Sequence, residues 1–425
     1  MYGMEPKKPY ESYRGLPQLA GLCTVEEAAK PGLSVEECVR RLKRFHYCFK
    51  RLHQILTARI TAEPIYELKT AFAHHAYLCA EHATALRTRI GEMREPPLGL
   101  EDVPHPALEV FFDEILCAPT TEELLHGVYE AGLRSLERAC WKYNNDTHPL
   151  TDAPSRRIVK FMILELEEMT DFGMFTHPMQ EGGYNPPLHI QQWHDDILNA
   201  HLESAGGIDG TASAEPSGGR KPPVAASQHG GLTPPARRYS TKPYTYDPVP
   251  KRDERFTDPW NQGVNAEAFL YDETKPARAK ALMMLYKRLR EIDVPEMMSS
   301  IITQTPGKPW GWYRDMSRQL WDEARHAMMG EVGFTALGVD WTQAKITFNW
   351  SYRLNTECTP MERHGVLYFI EQGLMPKTGK RYEFEVAQES GLPLMATIQD
   401  FDWADEVLHS QIGRQWYVPE FGSLK

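Results

Sequence analysis

Apolar residues recur at steps of three and four through most of this chain, and strict alternation of apolar and polar positions is rare. The helical period covers Val35–Thr61, Ile65–Arg94, Thr120–Tyr143 and Pro154–Phe172, with a shorter stretch from His189 to Glu203. Pro64 suits the first turn of the second helix, Thr120 with Glu122-Glu123 marks the start of the third, and Asp152 before Pro154 is a candidate N-cap for the fourth. Downstream, the period returns over Lys275–Thr303, Trp310–Leu337, Pro360–Leu374 and Pro393–Trp416, with Arg381 to Glu389 as a further helical piece. Pro306-Gly307 and Pro309 punctuate the first pair. Only Ile346 to Tyr352 has a β-like character, as a strand or a connector. The pattern predicts an all-α protein of two antiparallel helical bundles.

Between the two sets, residues 205–258 are dense in Gly, Pro, Ser and Thr and poor in large aliphatics. Such a stretch buries too little apolar area to offset its ordering entropy, so it reads as a linker or strap. Its second half regains Tyr239, Tyr244, Tyr246 and Phe256 and is expected to pack along the body. The predicted organisation is an N-terminal bundle over 1–204, a Pro/Gly/Ser-rich linker over 205–258 and a C-terminal bundle over 259–425. A length of 425 residues accommodates this.

A net charge of -11 argues against a broad phosphate-binding face, so no nucleic-acid partner is expected. No apolar run reaches membrane-spanning length, and no leader is evident at Met1 to Tyr10, so a cytoplasmic location without membrane contact is expected. The seven cysteines are scattered with no C-x-x-C pair, which suggests reduced, buried thiols.

Candidate chemistry concentrates in a repeated tetrad: Asp322-Glu323-x-x-His326 and Asp405-Glu406-x-x-His409. Residues three apart share a helix face, so each Glu and His can bind one metal ion, and two such helices can face each other. Further carboxylates are needed from two other helices. Glu296 and Glu371 precede the tetrads at spacings that let antiparallel helices of roughly 13–17 residues bring carboxylates to one level. Glu291 competes with Glu296, and Glu362 with Glu371; Glu296 and Glu371 are preferred. The expected ligands are therefore Glu296, Glu323, His326, Glu371, Glu406 and His409. Oxygen donors with imidazole and no thiolate suit iron or manganese. Asp322 and Asp405 are expected just behind the ligands, each accepting the Nδ1 proton of the histidine on the opposite helix. Arg325 would neutralise the aspartate pair, and Glu291 belongs to this outer group if Glu296 is the ligand. A third match, Glu123-x-x-His126, lacks the preceding Asp and is expected to be a surface coincidence.

The tetrads and their context (Val294-Pro295-Glu296, Trp321-Asp322-Glu323-Ala324-Arg325-His326, Ile370-Glu371-Gln372-Gly373 and Asp402-Trp403-Ala404-Asp405-Glu406) resemble the ferritin-like superfamily of di-metal carboxylate proteins, over roughly Lys275 to Trp416. The helix-bundle pattern of that superfamily implies two iron ions, or manganese with iron, and for active members dioxygen as co-substrate in oxidation or hydroxylation. The upstream set, with Glu137, Asp152, Glu165, Glu167 and Glu168, resembles a degenerate second copy without ligand histidines at the tetrad spacing, expected to be metal-free, with a second site of unusual ligation drawing on His74, His75, Glu81 and His82 as the alternative. The resemblance implies tandem ferritin-like bundles and a small-molecule substrate, with a homodimer left open. The alternatives are an iron-handling protein and a non-catalytic scaffold stapled by metal.

Overall fold

The computed structural model describes residues 10–94, 99–176, 185–212, 236–256, 265–344, 346 and 349–421. Among these residues all regular structure is helical. The principal helices are α1 (Val35–Arg59), α2 (Tyr66–Glu92), α3 (Pro106–Leu116), α4 (Arg134–Asp146) and α5 (Ala153–Phe175). Downstream come α6 (Ala277–Arg290), α7 (Asp293–Thr303), α8 (Trp310–Ala336), α9 (Asn349–Glu357), α10 (Pro360–Gly373), α11 (Lys380–Glu389) and α12 (Pro393–Trp416). No helix among the described residues is long and apolar enough to cross a membrane. The cysteines form no disulfide among the described residues.

The chain forms two compact units. The first comprises Met1–Arg51 and Ala85–Tyr244, the second Leu52–Thr84 and Thr245–Lys425. This grouping departs from the boundaries drawn at 204 and 259. The tip of the α1–α2 hairpin belongs with the downstream helices, for reasons visible in its polar side chains. Lys69 meets Glu296 at 2.6 Å, Glu81 meets Arg314 at 2.7 Å, and His53 meets Ser317 at 2.7 Å.

In the first unit, α4 continues upstream through a π-helical turn (His126–Leu133) to Thr121, and packs along α5. α3 escaped the sequence reading because Leu108, Val110, Phe111, Phe112 and Ile115 crowd its eleven residues and leave little periodic contrast. Asp152 stands at the N-cap position of α5, yet its carboxylate turns inward to accept from Tyr143 (2.8 Å) and Thr147 (2.7 Å) rather than capping the helix. The Glu123–His126 pair is not a surface coincidence. Both residues are buried; His126 shares a 2.9 Å hydrogen bond with His194, and the Glu123 carboxylate accepts from Tyr239 at 3.2 Å. The late linker packs as expected. Glu114 accepts the backbone N–H groups of Arg238, Tyr239 and Ser240 at 2.9–3.0 Å, along with the Ser240 hydroxyl at 2.6 Å. Burial pushes the Glu114 carboxyl up, but these donors outweigh it and hold the pKa below the usual range. Residues 213–235, the Gly/Pro-richest part of the predicted linker, lie outside the described set.

In the second unit, the helix predicted over Lys275–Thr303 is broken at Glu291-Ile292 into α6 and α7. Pro295 is the cause. It has no N–H to give the carbonyl four residues back, and its ring crowds that carbonyl, which is Glu291's. The chain turns there through a bond from Val294 N–H to Glu291 O at 2.9 Å. α6 then lies unusually close to α8, because a Cβ on Gly330 would sit 2.4 Å from the Leu289 backbone nitrogen. The β-like run at Ile346 to Tyr352 is also corrected, since residues 349–352 open α9. Tertiary hydrogen bonds decide it: Ser351 donates to Asp293 (2.9 Å) and Glu296 (3.0 Å), and Asn355 donates to the Glu296 carbonyl (3.1 Å). α10 starts on a capping box between Thr359 and Glu362, which accounts for Glu362 as a cap and removes it as a rival to Glu371.

Several buried histidines give the fold an acid sensitivity. Burial pushes His46 and His75 down to about 3, and His53 and His364 down to about 4. The unfolded chain binds protons at these sites below about pH 6.5 while the folded chain excludes them, so stability falls as pH drops from there towards 4. Denaturant midpoints measured between pH 7 and 4.5 are expected to decline steadily. A flat profile over that window would contradict neutral burial.

Candidate metal centre

α8 and α12 present the same four-step face. Gln319, Asp322, Glu323 and His326 lie at i, i+3, i+4 and i+7 on α8; Asp402, Asp405, Glu406 and His409 repeat the steps on α12. All eight are buried. The faces meet, with the His326 and His409 rings 5.8 Å apart. Glu323 lies between the histidines, its Oε1 3.2 Å from His409 Nδ1 and its Oε2 3.5 Å from His326 Nδ1. Glu406 Oε2 lies 3.4 Å from His409 Nδ1.

Two further helices complete the cluster. Glu371, near the end of α10, joins Glu323, Glu406 and His409, and ligand atoms of all four lie within 4.8 Å of one another. On the other side, Glu291 joins Glu323 and His326 under the same limit, and Asp402 and Glu406 also group with His326. Glu323 and Glu406 each belong to two of these groupings, as carboxylates between two cation positions would.

The structure therefore brings together Glu323, His326, Glu371, Glu406 and His409, but not Glu296. Glu296 is fully buried elsewhere, held by Lys69 (2.6 Å), by Arg252 (2.7 and 2.8 Å) and by Ser351 (3.0 Å). Its place in the cluster is taken by Glu291. Counting along an unbroken helix favoured Glu296; the break imposed by Pro295 resets the faces and leaves Glu291 at the end of α6, 3.5 Å from His326 Nδ1.

Asp322 and Asp405 cross to the opposite histidines as expected, but at the other ring nitrogen. Asp405 lies 3.2 Å from His326 Nε2 and Asp322 lies 3.4 Å from His409 Nε2. Nδ1 of each ring is thus turned to the carboxylates. Arg325 bridges the two aspartates, 2.8 Å from Asp405 and also paired with Asp322. Arg318 adds a second guanidinium, 2.9 Å from Asp322. Exchange of either aspartate for asparagine is expected to weaken cation binding by roughly 10–100-fold, since the wrong tautomer then competes. Titration of the metal-free protein with Mn(II) measures this, and unchanged affinity in both variants would refute the role.

The clustered carboxylates disturb one another. Burial and the adjacent Glu406 push the Glu371 pKa well up. Burial opposes ionisation of Glu323, but the imidazoles of His326 and His409 beside it hold it down at about 2. Burial disfavours the His409 imidazolium, yet Asp322, Glu323 and Glu406 push its pKa well above the ordinary value.

The donor set passes a simple test of fit. Glu291 Oε2, Glu371 Oε2, Glu406 Oε2, His326 Nδ1 and His409 Nδ1 are all buried without a hydrogen-bond partner. Native interiors rarely orphan polar atoms, and here the orphans converge. Four carboxylates and two imidazoles suit hard or borderline ions such as iron and manganese.

The sequence reading missed the cations beside this cluster. Arg288 pairs with Asp402 and with Glu291 (2.7 Å); Lys380 lies 2.9 Å from Asp402 and 2.8 Å from Glu406. Glu383 and Lys287 extend the network. The only local signal was Lys380 itself: a lysine opening a helix opposes the helix dipole and needs a reason to be there. Comparisons with protein-family models, with curated proteins and with solved structures find no match to this chain.

Proposed function

We propose that the second unit is a ferritin-like metal-binding bundle in a cytoplasmic oxidoreductase, and that the first unit is its degenerate tandem relative. The convergence of orphaned buried donors from α6, α8, α10 and α12 carries this reading. The residues that would hold metal are Glu291, Glu323, His326, Glu371, Glu406 and His409. Two iron ions, or manganese with iron, would supply the redox equivalents for oxygen-dependent oxidation or hydroxylation of a small organic substrate.

The chain's own groups set the conditions for that chemistry. Asp322 and Asp405 hold the histidines with Nδ1 facing inward, fixing tautomer and orientation. Arg318 and Arg325 hold the aspartates. Ligation needs Glu371 ionised against the upward push on its pKa, so metal uptake would be coupled to proton release. The buried walls keep bulk water from the donors.

The test is oxygen uptake by the anaerobically iron-loaded chain in an oxygen electrode, with metal content measured alongside. Uptake above that of free iron, lost in His409→Ala, supports an oxidoreductase. Bound metal that raises thermal stability while oxygen uptake stays at the free-iron rate would replace it with the stapled scaffold. Many ions per chain would point to iron handling.

A further inference from the structure

The two cation positions are not equivalent. One comprises Glu323, Glu371, Glu406 and His409; the other comprises Glu291, Glu323 and His326, with Asp402 and Glu406 also grouping on His326. Gln319 on α8 and Asp402 on α12 occupy the same step relative to their tetrads. At the first position the counterpart is neutral: Gln319 donates its amide to Glu371 at 3.2 Å. At the second it is Asp402, which is clasped by Lys380 and Arg288, both buried.

The clasp reaches the candidate ligands themselves. Lys380 Nζ lies 2.8 Å from Glu406 Oε1, and Arg288 Nη2 lies 2.7 Å from Glu291 Oε1. A fixed ammonium and a fixed guanidinium thus already compensate the carboxylates around His326. The surroundings also commit Lys380 to this place. Gly379, whose added Cβ would lie 2.2 Å from the Leu374 carbonyl oxygen, permits the tight turn that delivers it. Lys380 opens α11 against the helix dipole and is almost fully buried. Beyond the candidate ligands, Lys287, Arg288 and Lys380 outnumber Asp402 and Glu383 by one. Lys380 meets Glu406 at Oε1 while Glu406 Oε2 faces His409, and Arg288 and Lys380 both hold Asp402. A second divalent ion on the His326 side therefore meets more repulsion in a low dielectric than the first ion beside Gln319.

We propose that Lys380 acts as a built-in cation at the second position, so that the chain retains one divalent ion at Glu323, Glu371, Glu406 and His409 and binds the second only weakly. This rests on the metal-binding reading above and sharpens it. The bundle is a one-tight, one-weak centre in which Lys380 is a positioning residue that sets metal stoichiometry.

The test uses the full chain, stripped with chelator, loaded anaerobically with Mn(II), desalted and assayed for metal. Wild type is expected to retain one ion per chain, with a second binding at least about tenfold more weakly in titrations. Its Mn(II) resonance spectrum should show an isolated ion rather than an exchange-coupled pair. Lys380→Met, which keeps the aliphatic stem, is expected to retain two ions. Two equally tight ions in wild type, or a folded Lys380→Met protein that still retains one, would overturn the proposal. Should Lys380→Met fail to fold, the wild-type spectrum decides alone. Retention of no ion by wild type sinks the metal-binding reading itself, a result distinct from retention of two.

Discussion

Glu296→Ala is expected to cost the fold about 3–5 kcal/mol while leaving metal retention unchanged. The cost arises because Lys69 and Arg252, whose side chains are 0% and 3% exposed, would lose the carboxylate that compensates them both. Removing one partner of a buried pair is costly because the remaining charges cannot reach water. Ser351 would lose an acceptor as well. Glu291→Gln should do the reverse: it sits at a partly exposed helix end, its loss of charge is tolerated, and a candidate ligand is weakened. Denaturant unfolding of the metal-free proteins, paired with metal analysis, separates the two glutamates. If Glu296→Ala instead empties the protein of metal without destabilising it, the assignment of these residues is inverted.

The larger effect on metal is expected from Glu323→Ala and His409→Ala. Glu323 faces both histidines, at 3.2 and 3.5 Å, and belongs to two of the three donor groupings. Its removal should abolish tight binding altogether, beyond the roughly 10–100-fold that loss of an outer hydrogen-bond partner costs. His409→Ala should abolish retention at the position shared with Glu371. Circular dichroism should find both variants helical, since the buried apolar residues of α8 and α12 are untouched. Wild-type metal content in either variant would mean that the cluster is an ion-pair network and nothing more.

Much of this arrangement was legible because the helical period dominates it. Glu323 with His326 and Glu406 with His409 are set by one helical turn, and no tertiary fact is needed to pair them. Glu371 followed from its spacing to Glu406, which lets antiparallel helices bring the two carboxylates to one level. Glu291 did not, because a carboxylate count along one helix is only as good as the helix, and Pro295 breaks it. The Asp–His pairing was readable as to partner but not as to ring nitrogen, which depends on side-chain orientation that spacing does not encode. Lys380, Arg288 and Asp402 were invisible for a different reason. Charged residues in a sequence default to the surface, and their burial is dictated by partners many helices away. The same applies to α9, where Ser351 and Asn355 earn their helix by bonding to α7.

The return of Leu52–Thr84 to the second unit bears on how the chain is made. Lys69 and Glu296 are separated by 227 positions, so the buried pair closes only after most of the protein has been synthesised. Contacts of such separation are slow to form, and a nascent N-terminal half must hold the hairpin tip with its partners still absent. A fragment cut within the 205–258 stretch would therefore start without Lys69, leaving Glu296 and Arg252 short of a charge. Added in trans, a peptide spanning the α1–α2 hairpin should restore that fragment's cooperative unfolding, which makes this a protein whose later half is completed by its earlier one.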